Sequence, residues 1–395
     1  MGLLPGLGAL SFAVWLVLVF FRGDFWRADQ RLRRSVRDLE TWPEVAVIVP
    51  ARDEAAVIEE AVQSLLAQDY PGNFSIFLVD DGSRDDTAGR ARAVADAGAG
   101  DAGAMGERLV VLKGEPLVEG WTGKLWAMEQ GVRSAASLAP DATYLLFTDA
   151  DIAHEPASLK MLVAKAENEG LNLVSLMVRL RGTGFWERLL LPAFVFFFQM
   201  LYPFPWVNDP AKKMAAAAGG CMLARRTALE KSGGLAGIRG ELIDDCALAR
   251  QIKANGPIWL GLTETTASIR PYEGLEGLWR MVTRTAYTEL RHSPFLLAVA
   301  LAGMFVTYLL PPFLTLGYGL HGSGTGLGFG IAAWALMAAS YRPSLRLYGE
   351  PPWIGILLPL VALLYCVMTF DSARRHWRNA GGEWKGRTHS MNRGK

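Results

Sequence analysis

The chain has 395 residues, enough for one large domain or two ordinary ones, and its 40 basic residues nearly balance its 39 acidic ones. This balance argues against a globally basic nucleic-acid-binding protein, and we expect no nucleic-acid partner. The cysteines, Cys221, Cys246 and Cys366, are odd in number and lack metal-site spacing. They predict buried thiols in a reducing compartment rather than a disulfide framework.

The first element is an uncharged apolar run, residues 3–21, of about the length that spans a bilayer. Arginines follow it at positions 22, 27, 31, 33, 34 and 37. A cleaved signal peptide would carry its positive charge ahead of the apolar run and would end in small residues. The observed order predicts an uncleaved anchor with its N-terminus outside and its arginines in the cytoplasm.

From residue 44 onward, short apolar strands alternate with segments of helical spacing. The predicted strands are 45–49, 74–79, 109–112, 143–147 and about 171–180, and the predicted helices between the first four are 54–67, 84–97 and 121–136. This alternation predicts an α/β domain with a mostly parallel sheet covered by helices on both faces.

Two of the predicted strands end in acidic clusters. Asp80 and Asp81 close the second strand, and the segment LLFTDADI (145–152) ends the fourth with Asp149 and Asp151. Carboxylates one residue apart on an extended chain point to the same side, and parallel strands end along one edge of a sheet. An acidic strand-to-helix turn is the alternative interpretation, but several carboxylates on one edge repel each other unless a cation or ligand compensates them. The pattern therefore predicts a divalent cation held on phosphate oxygens.

Two apolar segments follow that suit a membrane surface. Segment 185–207 contains Pro192, Pro203 and Pro205, which we expect to break it into two short interfacial helices; a buried helical hairpin is the alternative. Segment 275–291 is amphipathic and carries several arginines.

Between these segments lie two further candidate site motifs. Gly219 and Gly220 precede an apolar strand, which suggests close backbone approach to a bound group. A helix predicted from Glu241 carries Asp244 and Asp245 and ends at Asn255-Gly256. Such an acidic pair is usually a solvated helix face, but the other acidic clusters favour a functional role.

The C-terminal region holds apolar runs at 295–320, 327–339 and 353–370, and a basic tail follows the last of them. The first run contains Pro311-Pro312 and is expected to kink. A basic tail should stay cytoplasmic, yet four simple spans would place it outside. Either the middle run or the bend at Pro311 therefore fails to make a full span.

The ordered set of motifs resembles the family 2 glycosyltransferases of the GT-A fold. The motifs are PARDE (50–54), VDDGSRDDT (79–87), GWTGKLWAMEQG (120–131), TDADI (148–152), the Gly219-Gly220 loop and IDDCALARQIKANG (243–256). The chain is similar in particular to the membrane-bound hopanoid-biosynthesis-associated glycosyltransferases, through FRGDFWRADQRL near the N-terminus, TAYTELRHSPFLL, DSARRHWRN and the EWKGR tail.

The resemblance implies a role for each matching position. It assigns Pro50, Arg52, Glu54, Asp81 and Lys124 to the nucleotide, Asp149 to the ribose and sugar, Asp151 (with Asp149) to the metal, Asp245 to the catalytic base beside Asp244, and Gly219 and Gly220 to the acceptor side. The donor is then a nucleotide-diphosphate sugar, with UDP favoured by family habit, and the cofactor is Mg²⁺ or Mn²⁺.

One departure from the family bears on the product. Processive members carry Q-x-x-R-W, and the matching segment here, Met281 to Thr285, keeps only Arg284. This argues for addition of a single sugar. Arg284 is expected to contact the diphosphate, and a contact with lipid headgroups is an equally good interpretation. Direct attack by the acceptor implies inversion at the anomeric carbon.

These inferences predict a multi-pass enzyme of the bacterial inner membrane whose catalytic domain faces the cytoplasm. Its expected parts are an anchor (1–22), a basic linker (23–43), a GT-A domain (44–272), an interfacial helix (273–292), a transmembrane region (293–371) and a basic tail (372–395). The acceptor is a membrane lipid, a hopanoid or other polyprenoid by resemblance, with polyprenyl phosphate or a glycerolipid as alternatives. A nucleotidyltransferase would need a Gly-rich loop after the first strand, which PARDEAA lacks; a non-catalytic scaffold or lipid transporter would tolerate exchange of the acidic residues.

Overall fold

The computed structural model describes residues 2–34, 37–102, 108–272 and 274–378, together with 383–384 and 387–388. The chain forms two compact units. The sheet unit comprises Gln30–Arg181, Trp206–Pro271 and Glu383–Lys395, and the helical unit comprises Met1–Asp29, Gly182–Pro205 and Tyr272–Gly382.

Eight strands of the sheet unit form one sheet and two short ones form a separate pair. They are β1 (Val45–Ala51), β2 (Phe74–Asp80), β3 (Leu109–Lys113), β4 (Tyr144–Thr148), β5 (Ile152–His154), β6 (Leu173–Leu180), β7 (Cys221–Arg225), β8 (Ile258–Ser268), β9 (Glu383–Trp384) and β10 (Arg387–Thr388). The large sheet has the order β3-β2-β1-β4-β7-β6-β8-β5.

The helices, in chain order, belong to both units. They are α1 (Leu3–Phe21), α2 (Ile58–Leu66), α3 (Thr87–Ala102), α4 (Gly123–Leu138), α5 (Ser158–Asn168), α6 (Phe185–Leu201), α7 (Phe204–Asn208), α8 (Arg226–Lys231), α9 (Asp244–Lys253), α10 (Gly274–Glu289), α11 (Pro294–Met304), α12 (Leu310–Leu316), α13 (Tyr318–His321), α14 (Gly324–Tyr348) and α15 (Leu358–Trp377). Short 3₁₀ turns lie at Phe25–Arg27, Leu235–Ile238 and Pro352–Leu357, and a π turn at Phe305–Leu309.

The pairing of the large sheet confirms the predicted α/β, GT-A-like fold class. Strands β3, β2, β1 and β4 run parallel, β7 is antiparallel to both β4 and β6, and β8 is parallel to β6. Strand β1 is apolar along its whole length because both of its faces are covered, and every one of its residues is buried. This arrangement brings the C-terminal ends of β1, β2 and β4 to one edge of the sheet.

The predicted strands lie within a residue or two of the observed ones, whereas helix starts differ more. Helix α2 begins at Ile58 rather than Glu54, and α9 begins at Asp244 rather than Glu241. The residues ahead of each helix form turns at the sheet edge. Strands β5 and β8 were not predicted from the sequence.

The helical unit contains, among the described residues, three helices long and apolar enough to cross a membrane: Leu3–Phe21, Pro294–Leu316 and Pro352–Trp377. The middle apolar run of the C-terminal region lies in α14, which is not one of the three. The predicted boundaries of the membrane and catalytic parts stay predictions.

The bend expected at Pro311 is a π turn, Phe305–Leu309, between α11 and α12. Pro311 has no N–H, so the carbonyl of Thr307 lacks the backbone donor that it would have in a regular helix. Trp15 of α1 donates its indole N–H to that carbonyl at 2.7 Å, and Ser11 donates to the carbonyl of Val306, also at 2.7 Å. Two side chains of one apolar helix thus satisfy the backbone of another.

The prediction that Pro192 breaks segment 185–207 is wrong. Pro192 lies inside α6, which continues to Leu201. The helical structure is interrupted only at Tyr202 and Pro203, before α7 begins. The residues on both sides of Pro192 are buried, so packing holds the helix together despite the one missing backbone hydrogen bond. Because α6 is largely buried, its predicted interfacial role stays a prediction.

Candidate active site

The loops that follow β1 and β2 are joined by a buried ion pair. The Arg52 guanidinium donates a short hydrogen bond to the carbonyl of Asp81, and its Nη1 lies 3.6 Å from Asp81 Oδ2. Asp81 N–H donates to the carbonyl of Ala51 at 2.9 Å, which continues the parallel ladder past the strand ends. Arg52 and Asp81 are 6% and 1% exposed, so this ion pair forms a buried wall of the site.

Polar side chains that sequence analysis did not single out tie the same loops together. Glu54 N–H donates to Thr87 Oγ1 at 2.8 Å, and Asp53, which has a left-handed φ of 50°, receives a hydrogen bond from Arg84 N–H and donates to Ser83 Oγ. Pro50 lies within β1. The turn signal DDGS could have indicated these hydrogen bonds between the loops, since Asp and Ser side chains bond neighbouring backbone groups.

The D-x-D motif lies directly after β4, where each carboxylate meets a cation. Asp149 Oδ1 is 2.8 Å from Lys124 Nζ, and Asp151 Oδ2 is 2.7 Å from Arg270 Nε. Ala150, between them, is buried. The Asp149 side chain is 35% exposed, which leaves it open to a ligand.

The acidic pair Asp244-Asp245 occupies the first turn of α9, where the helix dipole favours negative charge. Asp245 is held on both oxygens, by Gly219 N–H at 2.9 Å and Cys246 N–H at 2.7 Å. Asp244 Oδ2 lies 3.6 Å from Lys124 Nζ and accepts no hydrogen bond from any described residue.

Lys124 therefore lies near three carboxylates, those of Asp149, Asp244 and Asp245, and its positive charge interacts favourably with each. Burial by itself would lower the pKa of Lys124, but Asp149 and Asp244 together raise it above its ordinary value, so the side chain stays an ammonium. Burial, and then the charge of Asp244, raises the pKa of Asp245 to about 7 even though Lys124 opposes the shift. A carboxyl group with a pKa near neutrality is suited to accept a proton at physiological pH.

The Gly219-Gly220 loop approaches this cluster closely. A Cβ on Gly219 would lie 3.3 Å from both Asp245 Oδ2 and Lys124 Nζ, and one on Gly220 would lie 3.0 Å from a methyl group of Val178. Glycine thus allows the backbone N–H to reach the candidate base.

The buried side chain of His154 supports the Gly219-Gly220 loop through Thr148. Thr148 Oγ1 donates to the carbonyl of Gly220 at 3.0 Å, so His154 Nε2, 2.9 Å from the same hydroxyl, must carry the proton that it donates. Burial lowers the pKa of His154 to about 4, which keeps the ring neutral. His154 is a structural neighbour of the D-x-D motif that the sequence did not single out.

Most of the predicted site residues lie in two groups at the sheet edge. The first group consists of Lys124, Asp149, Asp244, Asp245 and Gly219. In the second group, Arg270 links Glu54 to Asp151. No group of three or more His, Cys, Asp or Glu side chains among the residues the structure describes is arranged as a metal cage.

Arg284 lies on α10, in the helical unit. Its predicted contact with a diphosphate, like the role of every site residue above, stays a prediction.

Comparison with known proteins gives a family match for part of the chain. Residues 46–233 match the family model described as Glycosyl transferase family 2. No curated protein sequence matches the chain. Among solved structures, the mannosyltransferase PcManGT from Pyrobaculum calidifontis, in complex with GDP-Man and Mn²⁺, is 19% identical with a TM-score of 0.54, over 96% of this chain and 99% of that one.

Two further solved structures are less similar. Glucosyl-3-phosphoglycerate synthase from Mycobacterium tuberculosis is 24% identical with a TM-score of 0.39, over 63% of this chain and 79% of that one. TarS from S. aureus is 16% identical with a TM-score of 0.40, over 84% and 55%.

The likeness to PcManGT agrees with the GT-A-like sheet described above, and the family match covers β1 through β7. Residues 46–233 are thus similar to the family 2 glycosyltransferases, which agrees with the predicted enzyme class of glycosyltransferase.

Proposed function

We propose that this protein transfers a single sugar from a nucleotide-diphosphate sugar to a membrane lipid, with Asp245 as the base that deprotonates the acceptor hydroxyl. The observation that carries the proposal is the cluster of Asp245, Lys124, Asp149 and Asp244 around Gly219. It holds one carboxyl group with its pKa raised to about 7, oriented by two backbone N–H groups, beside a lysine that stays charged.

A divalent cation fits the donor set of this edge. Asp149 and Asp151 offer carboxylate oxygens, the ligands that Mg²⁺ and Mn²⁺ prefer. A nucleotide-bound Mg²⁺ needs only one or two protein carboxylates, because phosphate oxygens and water complete its shell. The metal would neutralise the departing diphosphate, and the PcManGT complex contains Mn²⁺ together with its nucleotide sugar.

The nucleotide would lie along the wall formed by Pro50, Arg52 and Asp81. The Asp81 carboxylate would receive a donor N–H from the base or a ribose hydroxyl, and Glu54 would border the same pocket. UDP is the nucleotide that the family resemblance favours, whereas the PcManGT structure contains GDP-Man. Both belong in any test.

The geometry supports a single displacement. One buried base and one cation-binding motif suffice when the acceptor itself attacks the anomeric carbon, and the configuration is then inverted. NMR of the first-formed product would reveal retained configuration if this step is wrong. Addition of one sugar follows from the missing Q-x-x-R-W pattern around Arg284.

A lipid acceptor is supported by the three described helices that are apolar enough to span a membrane. Three spans starting with the N-terminus outside would leave the basic C-terminal tail in the cytoplasm, as the positive-inside rule requires. The acceptor would be a hopanoid or other polyprenoid lipid in the bacterial inner membrane. Polyprenyl phosphate and glycerolipids share the exposed hydroxyl or phosphate and are the alternatives.

The test incubates membranes containing the full chain with labelled UDP- and GDP-sugars and analyses the extracted lipids by mass spectrometry. Wild type should label one lipid class with one sugar. Asp151→Asn and Asp245→Asn should lose the labelled product, whereas Asp141→Asn, at an exposed loop position, should keep it. Lipid labelling that is the same with wild type, with both site variants and without the chain would instead indicate a non-catalytic scaffold or lipid transporter.

A further inference from the structure

Arg270 bridges the two sides of the candidate donor site. Its Nε lies 2.7 Å from Asp151 Oδ2 and its Nη2 lies 2.6 Å from Glu54 Oε1. The two carboxylates are largely buried, with side chains 13% and 10% exposed, whereas Arg270 is 37% exposed. One guanidinium thus neutralises a predicted metal ligand and a predicted nucleotide contact at once.

The backbone fixes this position independently of any ligand. Ile269 N–H donates to the carbonyl of Asp151 at 2.8 Å, and β5 pairs with the end of β8 through Ile152 and Ser268. Arg270 is the second residue after β8. Its side chain therefore starts beside the D-x-D motif in every state that keeps these strands paired.

The chemistry of Arg270 suggests that its guanidinium can exchange a carboxylate partner for a phosphate. The planar fork of arginine matches carboxylate and phosphate oxygens equally well. A divalent cation on Asp151 would place two positive groups on one carboxylate, and these repel. A donor diphosphate at the same place offers the guanidinium an alternative anion.

We propose that Arg270 is a positioning residue that occupies Asp151 as a stand-in cation and exchanges this carboxylate for the diphosphate when metal and nucleotide bind. The inference rests on the proposed function. It assigns Arg270 two opposite effects: it competes with the metal alone, and it assists binding of the nucleotide in the presence of metal.

The test measures both effects on the full chain in detergent. Binding of MnCl₂ alone is followed by electron paramagnetic resonance of free Mn²⁺, and binding of UDP and of GDP at saturating Mn²⁺ is followed by calorimetry. For Arg270→Gln we expect the Kd for Mn²⁺ to fall about tenfold and the Kd for the preferred nucleotide to rise about tenfold.

Three further variants test whether the opposite changes in the Kd for Mn²⁺ and the Kd for the nucleotide are specific to Arg270. Arg181→Gln, which removes an exposed guanidinium 3.5 Å from Glu60, should change neither constant. Arg270→Lys keeps the charge but cannot span both carboxylates, and should lie between wild type and Arg270→Gln. The double variant Asp151→Asn with Arg270→Gln should lose the gain in Mn²⁺ affinity.

A merely structural Arg270 would weaken Mn²⁺ and nucleotide binding together, and that result overturns the proposal, as does a gain in Mn²⁺ affinity that survives Asp151→Asn. If wild type binds neither UDP nor GDP, the proposed function fails. The Mn²⁺ arm still decides whether Arg270 competes for Asp151.

Discussion

The site edge of the sheet unit and the π turn of the helical unit satisfy their buried polar groups by different means. At the edge of the sheet, charged side chains pair with one another, as Lys124 does with Asp149 and Arg270 with Asp151. At the π turn, Phe305–Leu309, side chains bond to backbone carbonyls, as Trp15 does to Thr307. Glycine also lets helices of this unit approach closely: a Cβ on Gly330 would lie 2.9 Å from the carbonyl of Pro311.

This difference indicates where ligands can act. A carboxylate that is neutralised by a lysine or arginine can exchange that partner for a metal or a phosphate-bound metal at modest cost. A backbone carbonyl in an apolar unit has no such alternative, because loss of its donor leaves it unsatisfied and lowers stability. We therefore expect substitutions at the sheet edge to change chemistry and substitutions in the helical unit to change stability.

The largest effect should come from Asp245→Asn. The amide keeps the shape of the side chain but cannot accept the acceptor's proton, so we expect kcat to fall about 10³-fold. The amide can accept only one of the two backbone hydrogen bonds that hold Asp245, so the melting temperature is measured alongside kcat, with Asp141→Asn as the matched control. Loss of less than tenfold in kcat would exclude Asp245 as the base.

The pH dependence of the reaction should follow the same carboxyl group. Since burial and Asp244 raise the pKa of Asp245 to about 7, the base carries a proton below that pH and is free above it. We expect kcat/KM for the acceptor to rise about tenfold per pH unit up to neutrality and then to level off. A rate that is constant from pH 5.5 to 8 would contradict the assignment.

In the helical unit, Gly330→Val should destabilise without changing the chemistry. Its Cβ would meet the carbonyl of Pro311 at 2.9 Å and Thr315 Oγ1 at 2.8 Å, and overpacking of this kind costs about 2 kcal/mol. Gly328→Val, on the same helix with nothing within 4 Å of its Cβ, is the control. Thermal unfolding in detergent should separate the two variants, whereas Mn²⁺ binding should be the same in both. Equal melting temperatures would show that α12 and α14 do not pack as described.

The smallest effect should come from Trp15→Phe. This change removes the 2.7 Å hydrogen bond to Thr307 and keeps an aromatic ring, so we expect a loss of about 1 kcal/mol. Trp353→Phe, at a mostly exposed tryptophan of the same unit, should cost less. Denaturant midpoints that do not differ would mean that water or lipid replaces the indole as the donor.

Much of the sheet and part of the site could be predicted from local pattern. Apolar strands that end in Asp80-Asp81 or Asp149-Ala150-Asp151 place carboxylates at one edge because parallel strands end there together. The meeting of Lys124 with Asp149 and Asp244 could be expected only through the family resemblance, since these residues come from three separate elements.

Two features depended on partners that are distant in sequence. Strand β8 pairs with β6 and β5, and only this pairing places Arg270 beside Asp151, 119 residues earlier in the chain. The continuity of α6 through Pro192 likewise depends on burial of its neighbours, which offsets one lost hydrogen bond.

The sequence by itself determined the α/β alternation, the acidic strand ends and the apolar helices, because periodicity, strand termination and helix length are local properties of the chain. Only the tertiary structure decided which cation each carboxylate meets, which carboxyl group is buried enough to have its pKa raised to about 7, and which carbonyl needs the indole of Trp15. Charge pairing and burial depend on distances between residues far apart in the sequence, and those distances are set by the fold.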